Sequence, residues 1–390
     1  MQNFGVYIHI PFCQKKCKYC DFTSVDNCDK EIKDKYIECL IKEIENHCRG
    51  KVPLLPLKNN QNQEINTIYI GGGTPSILPS EKIDQILQKI KEKFNVDENV
   101  EITIEVNPGT VSYEKLENYK KIGINRLSIG LQSSENRLLN LIGRIHTFEE
   151  FKEVYENARK VGFENINVDL MLGLPTQTSQ ELTDSLEKII NLSPEHISLY
   201  SLILEEGTEL ERLIENKELE MISEDLERKM YWETKKILEQ NGYNHYEISN
   251  FAKKGFESKH NLSCWNQEEY IGFGLAAHSY INKMRISNID NLEEYIYNIE
   301  NNDFDKNVVL QEKEQSFENQ AKEYMMLGLR KIDGVSISEF EQKFQIHPLF
   351  YFRFEIAKLE EQDLVEVDLD NIRLTKKGLD FANIVFEEFI

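Results

Sequence analysis

Residues 7–22 read Tyr7-Ile8-His9-Ile10-Pro11-Phe12-Cys13-Gln14-Lys15-Lys16-Cys17-Lys18-Tyr19-Cys20-Asp21-Phe22. An apolar, strand-like run ends at Pro11, and Cys13, Cys17 and Cys20 follow in a C-x3-C-x2-C spacing. Three thiolates on one short loop can hold a metal centre but cannot complete a four-coordinate site, and a structural zinc wants four ligands. An iron–sulfur cube held by three cysteines keeps one iron open to an outside ligand. The bland alternative is a set of inert thiols, because cysteine reactivity needs surroundings that lower the pKa. Lys15, Lys16 and Lys18 would favour thiolates there, or are ordinary solvated charges.

The rest of the chain sets bounds on this loop. At about 150 residues per domain, 390 residues suggest two or three domains, or one large α/β barrel with additions. Hydrophobic residues make up 40%, enough for a packed core. No apolar run reaches about 18 residues, so no membrane span is expected, while transient association with a membrane surface stays open. The first residues enter a strand directly, without a secretory or transit leader, and a reduced cytoplasmic setting is the expectation. Seven cysteines are an odd set, and Cys28, Cys39 and Cys48 show no disulfide spacing; they read as packing or surface thiols. With 46 basic and 68 acidic side chains the net charge is −22, the wrong sign for a phosphate-tracking surface, so no nucleic-acid partner is expected.

Strand and helix patterns alternate through the first half. Short β-branched runs predict strands at 4–10, 65–70, 101–106, 126–130, 165–171 and 196–203. Amphipathic stretches predict helices at 30–48, 80–94, 112–122, 147–162 and 178–191, with starts at Ser80 and at Thr147 ahead of Glu149 and Glu150. Six βα units in series predict an α/β fold with a partial parallel (βα)6 barrel over residues 1–206, whose working residues lie after the strands. The polar stretch 49–64 reads as a surface insertion. Residues 207–315 read as a mostly helical, aromatic-rich extension. Residues 316–390 read as a winged-helix-like domain with a hairpin over 365–374 turning at Asp370-Asn371. Twelve acidic and six basic side chains in 335–390 argue against DNA binding by that tail.

Several unusual residues fall at the predicted strand ends. Gly71-Gly72-Gly73-Thr74-Pro75 follows a strand, where glycine lets backbone approach a ligand closely. It lacks the Lys-Ser/Thr ending of a P-loop, and a ligand-free tight turn is the alternative. Glu105, Gln132 and Asp169 can accept from ribose hydroxyls or an ammonium, and Arg144 can fork onto a carboxylate. Together they suit an amino acid joined to a nucleoside; singly, each reads as a surface or capping residue. Within His260-Asn261-Leu262-Ser263-Cys264-Trp265, both His260 and Cys264 are side chains that can ligate haem iron. The alternative there is a hydrogen-bonded histidine beside a buried Cys-Trp pair. His278 reads as structural, Tyr7 as strand core or a cofactor prop, and His9 as facing the barrel interior.

With these motifs in hand, the chain resembles the radical S-adenosylmethionine (SAM) superfamily over nearly its whole length. It looks most like the branch that contains oxygen-independent coproporphyrinogen III oxidase and the related haem chaperones. The resemblance rests on Tyr-x-His-Ile-Pro-Phe-Cys, the three cysteines, Gly-Gly-Gly-Thr-Pro, Glu-Val-Asn-Pro, Ser-Ile-Gly-Leu-Gln and Asp-Leu-Met-Leu-Gly-Leu-Pro. It implies a [4Fe-4S] cluster on Cys13, Cys17 and Cys20, with SAM on the fourth iron. Tyr7, Gly72, Gly73, Thr74, Glu105, Gln132, Arg144 and Asp169 would line the SAM site. An electron from a reductase or flavodoxin-like donor would then cleave SAM to methionine and a 5′-deoxyadenosyl radical. The oxidase pattern carries a further cysteine where this chain has Phe22, and a longer N-terminal extension. The resemblance therefore favours a chaperone that binds haem and passes it to an acceptor protein, with the oxidase as alternative; whether SAM is turned over stays open. The chaperones' His-Asn-x-x-Tyr-Trp signature appears here with Cys264 at the Tyr position, and His260 is the first candidate haem ligand, Cys264 the second.

Overall fold

The structure is a computed structural model and describes residues 2–47, 63–311 and 314–390. Seventeen strands are present among them: β1 (Gln2–Ile10), β2 (Phe12–Cys13), β3 (Val25–Asp26), β4 (Gln63–Gly72), β5 (Val96–Val106), β6 (Arg126–Gln132), β7 (Ile166–Leu172), β8 (His196–Ser201), β9 (Asn244–Glu247), β10 (Asn250–Ala252), β11 (Glu269–Phe273), β12 (His278–Ile281), β13 (Met284–Asn288), β14 (Val308–Gln311), β15 (Val335–Ser336), β16 (Val365–Val367) and β17 (Asn371–Leu374). Strands β1, β4, β5, β6, β7 and β8 lie side by side in chain order, all parallel. Helices Lys30–His47, Ser80–Lys93, Tyr113–Ile122, Phe148–Val161 and Ser179–Leu192 cross between them.

Alternation along each strand sorts the two faces. Ile68, Ile70, Ile102, Ile104, Leu127, Ile129, Val168, Leu170, Ile197 and Leu199 are buried in the main core. The residues between them, among them Tyr69, Glu105, Ser128, Asp169 and Tyr200, turn to the concave side and line a cavity there. Caps fix the helices that close each unit. Thr147 and Glu150 form a reciprocal capping box, and Gly162 ends that helix in the left-handed conformation. Ser80 makes no cap bond; it is the first residue of its helix, after Pro79.

Two expectations need correction. The extension at 207–315 keeps its helices but also supplies six strands, which widen the central sheet to twelve in the order β14-β13-β12-β11-β1-β4-β5-β6-β7-β8-β10-β9. Its strands are three to five residues long, too short to show a period against aromatic residues that suit either state. Residue 206 is likewise no core boundary, since Met230, Phe251, Phe273 and Tyr295 pack in the same core as the barrel strands. Residues 321–389 have a core of their own, with a three-stranded sheet β15-β17-β16 among helices. The β16–β17 turn falls one residue early, because Val367 pairs with Ile372 and the Asp368 N–H reaches the Asn371 carbonyl. The polar stretch at 49–64 lies outside the described residues except for its last two, as does Cys48.

Candidate cluster and cofactor site

β1 delivers the cysteine loop to the sheet's C-terminal edge. The two-residue strands β2 and β3 pair across the loop's base, and Val25 N–H bonds the Pro11 carbonyl at 2.6 Å. Farther out, Lys18 N–H meets the Ile142 carbonyl at 3.0 Å and Leu210 N–H meets the Lys18 carbonyl at 2.8 Å. The glycine run presses against this loop. Gly73 N–H and Thr74 N–H bond the Ile10 and Phe12 carbonyls, and a Cβ on Gly73 would sit 3.0 Å from Cys13 Sγ. Gly72, at φ +114°, backs onto the His9 ring, 2.7 Å from where its Cβ would be. Close packing against the loop thus accounts for both glycines.

Cys13, Cys17 and Cys20 all face one cavity of about 450 Å³, within the range of about 300–1,000 Å³ usual for small-ligand sites. Burial pushes the Cys13 and Cys20 thiols up. Lys18 is paired with Glu209 at 3.5 Å and Lys16 Nζ donates to the Phe22 carbonyl, so these two lysines are not committed to sulfur. Among the described residues no three His, Cys, Asp or Glu side chains converge as ligands of one ion. A cubane presents a separate iron to each thiolate and takes ligands spread around its corners.

The polar wall opposite is built by the strands. Glu105 accepts from Tyr69 Oη at 2.9 Å and Gly72 N–H at 3.1 Å. Burial nevertheless pushes its carboxyl up to about 7, and the charge of Asp169 adds to the shift. Burial raises the Asp169 carboxyl too. Arg144 donates to the Gly130 carbonyl at 2.6 Å, to Asn107 Oδ1, and to Cys17 Sγ at 3.7 Å. Gln132 lines the cavity with φ +73°, at a register shift between β6 and β7. Thr74 Oγ1 donates to Cys13 Sγ at 3.6 Å. The residues present fit a cluster with an amino-acid–nucleoside ligand: three thiols, two carboxylates and a guanidinium share one enclosure.

Of the expected site, Cys13, Cys17, Cys20, Gly72, Gly73, Thr74, Glu105, Gln132, Arg144 and Asp169 line this cavity. Tyr7 does not; its ring stacks on Tyr69 at 6.3 Å and its hydroxyl meets His9 Nδ1 at 3.1 Å, which makes it a prop beneath the wall. His260 and Cys264 are not brought to the cavity either. The His260 imidazole is 7% exposed, stacks on Tyr69 and bonds Thr67 Oγ1 at 2.9 Å, and burial lowers its pKa to about 4. The structure thus places His260 as a hydrogen-bonded interior histidine, away from the cavity of the three cysteines. Cys264 is half-buried with its thiol pushed up to about 11 by burial, and the neighbouring Trp265 ring lies under the Arg330 guanidinium at 4.3 Å. Sequence reasoning missed Tyr69, Asn107, Ser128 and Tyr200. Asn107 sat in the Glu-Val-Asn-Pro motif, and the other three keep the inward period of their strands, a signal that was available.

One further feature is the rim. Phe22 (69% exposed), Ile203 (67%), Ile145 (45%) and Tyr200 (40%) all surround the cavity mouth. Exposed apolar side chains scattered singly mean little, but a cluster at one mouth marks a binding surface.

A model of the Radical SAM superfamily matches residues 7–189, and one of the HemN C-terminal domain matches residues 316–381. Fold and site thus define a radical SAM protein. Relatives of the full length narrow this: "Heme chaperone HemW" of Lactococcus lactis subsp. lactis (strain IL1403) is 38% identical over 386 residues, 99% of this chain and 97% of the relative. The protein of the same description from Bacillus subtilis (strain 168) is 37% identical over 387 residues, 99% of each chain. The chain belongs to the HemW family of the radical SAM superfamily. Coproporphyrinogen III oxidase (HemN) from Escherichia coli shares the fold at a TM-score of 0.84 and 23% identity, covering 100% of this chain and 90% of that one. No helix among the described residues is long and apolar enough to cross a membrane.

Proposed function

We propose that this protein is a haem chaperone on a radical SAM frame, which binds haem and passes it to an acceptor protein. Cys13, Cys17 and Cys20 hold a [4Fe-4S] cluster, and Glu105, Gln132, Arg144 and Asp169 hold SAM beside it. The observation that carries the reading is the convergence of the three thiols and those polar groups on one cavity whose mouth is apolar. The chemistry such a cluster supplies is one-electron reduction of the sulfonium, with the electron from a reductase or flavodoxin-like donor. Glu105 and Asp169 compensate the ligand's positive charge, Arg144 faces its carboxylate, and the barrel wall keeps water out. At the position where the oxidase pattern carries a further cysteine, Phe22 stands exposed at the rim. With Ile145, Tyr200 and Ile203 it offers a planar macrocycle an apolar seat. A reduced cytoplasmic setting suits unpaired thiols that must stay free for iron.

Haem titration of cluster-loaded protein tests this seat. Phe22→Asp with Ile203→Asp is expected to weaken haem binding about tenfold or more, since burying each apolar side chain is worth about 1.5–3 kcal/mol. His260→Ala is expected to leave affinity near wild type. Loss of haem in His260→Ala with the rim variant unchanged would move haem to the helix Lys259–Trp265. Many-turnover decarboxylation of coproporphyrinogen III would overturn the chaperone reading.

Glu105 gives a pH signature. Its carboxyl, raised to about 7, is neutral below that pH and ionised above it. Cationic SAM favours the ionised form, so affinity should rise about eightfold from pH 6 to 7.5 as the ionised fraction grows. Glu105→Gln should flatten the profile. Equilibrium dialysis at several pH values checks it, and a flat wild-type profile would remove Glu105 from the ligand's contacts.

A further inference from the structure

Below the cavity, three neighbouring strands carry a chain of buried polar groups. Asn167 on β7 lies in register with Ser128 on β6 and His196 on β8. Asn167 Nδ2 donates to Asp169 Oδ1 at 2.7 Å and to Ser128 Oγ at 2.8 Å. Its Oδ1 accepts from His196 Nδ1 at 2.6 Å and from Ser198 Oγ at 3.1 Å. His196 Nε2 meets Tyr246 Oη at 2.7 Å, and that oxygen accepts from the Ser258 N–H at 3.3 Å.

Only one arrangement of protons satisfies every member. An ionised Asp169 can only accept, so the Asn167 amide must turn its NH2 toward it and its oxygen toward His196. His196 must then carry its proton on Nδ1, which leaves Nε2 to accept from the Tyr246 hydroxyl. Burial and the positive charge of Arg126 keep the imidazole neutral, as this tautomer requires. His196, Asn167 and Ser198 are each at most 2% exposed. The chain ends at Asp169 Oδ1. Oδ2 has a 3.4 Å contact from Ser128, Ser198 also bonds this carboxylate, and Asp169 lines the cavity where a ligand would meet it.

We propose that Asn167, oriented by His196, is a positioning residue that aims one Asp169 oxygen at a ribose hydroxyl of the nucleoside ligand. This rests on the SAM reading above. A fully satisfied buried network fixes a unique geometry, whereas removal of one member frees the next. The consequence is selective: disturbing the chain should erode recognition of the ribose while the cluster and the amino-acid end keep their contacts.

The test measures affinity of cluster-loaded protein for S-adenosylhomocysteine and for its 2′,3′-dideoxyribose analogue. Wild type should prefer the hydroxylated ligand about tenfold or more, the scale of one hydrogen bond to a charged group. Asn167→Leu and His196→Leu should lower that preference to about twofold or less on the same scale, with the cluster absorbance retained. His196→Asn, whose Nδ2 can replace the imidazole Nδ1, should restore it. A wild-type preference surviving in both leucine variants overturns the positioning role. Wild type that binds the ligand without distinguishing the analogue overturns the role of Asp169 and leaves the cofactor reading standing. Wild type that binds neither compound nor SAM overturns both.

Discussion

Cys17→Ala is expected to abolish the cubane absorbance and electron paramagnetic resonance signal after anaerobic reconstitution with iron and sulfide. On the proposed reading the cluster has three protein ligands, and among the described residues no fourth cysteine lines the cavity, so one lost thiolate would leave two irons of four unheld. Cys39 cannot substitute: it is on the buried face of the helix Lys30–His47, its Sγ turned to the Ile296 carbonyl. Cys28 has its own thiol raised by burial and lines no part of the cavity. The same substitution at Cys13 or Cys20 should read alike, whereas Cys28→Ala should retain full iron content. A Cys17→Ala protein carrying four irons and four sulfides per chain would refute the assignment. Secondary structure by circular dichroism should be preserved, because the loop is anchored by backbone bonds at Val25, Lys18 and Leu210.

Arg144→Leu should weaken SAM binding about a hundredfold, the equivalent of about 3 kcal/mol for a charge-assisted contact with a carboxylate. The guanidinium sits among several acceptors in the cavity wall. It donates to Gly130, Asn107 and Cys17, and its Nε has no partner among the described residues, which keeps one donor in reserve. Leucine also strands the Gly130 carbonyl and Asn107 amide, so a modest drop in melting temperature should accompany the lost affinity. Arg144→Lys should not rescue, since a point charge cannot reach several acceptors in one plane. Affinity within threefold of wild type in Arg144→Leu would remove this residue from ligand recognition. The threshold is well under the 1.4 kcal/mol of a tenfold change.

The barrel was readable because it is built from repetition. Runs such as Ile68, Ile70, Ile102 and Ile104 alternate with inward polar residues, and Gly, Pro or Asn close each unit. Motifs at the strand ends then carried nine of the ten expected residues that line the cavity, all but Arg144, and contacts with the cysteine loop and with His9 explain why Gly72 and Gly73 are glycines. The placement of His260 and Cys264 was not legible for a physical reason: a histidine and a cysteine in aromatic surroundings look the same in sequence whether they face a porphyrin or a sealed interior. Only packing separates the two, and here Tyr69 and Thr67 occupy the imidazole. The six added strands were hidden for a related reason, as edge extensions three to five residues long borrow their stability from the neighbouring sheet.

The bond from Leu210 to Lys18 spans almost two hundred positions of the chain. A polypeptide still emerging from the ribosome has made its three thiols long before it makes the residue that ties down their loop. On the proposed reading, cofactor loading is expected late in biogenesis, once the distal segment has folded back and Leu210 can hold the cysteine loop.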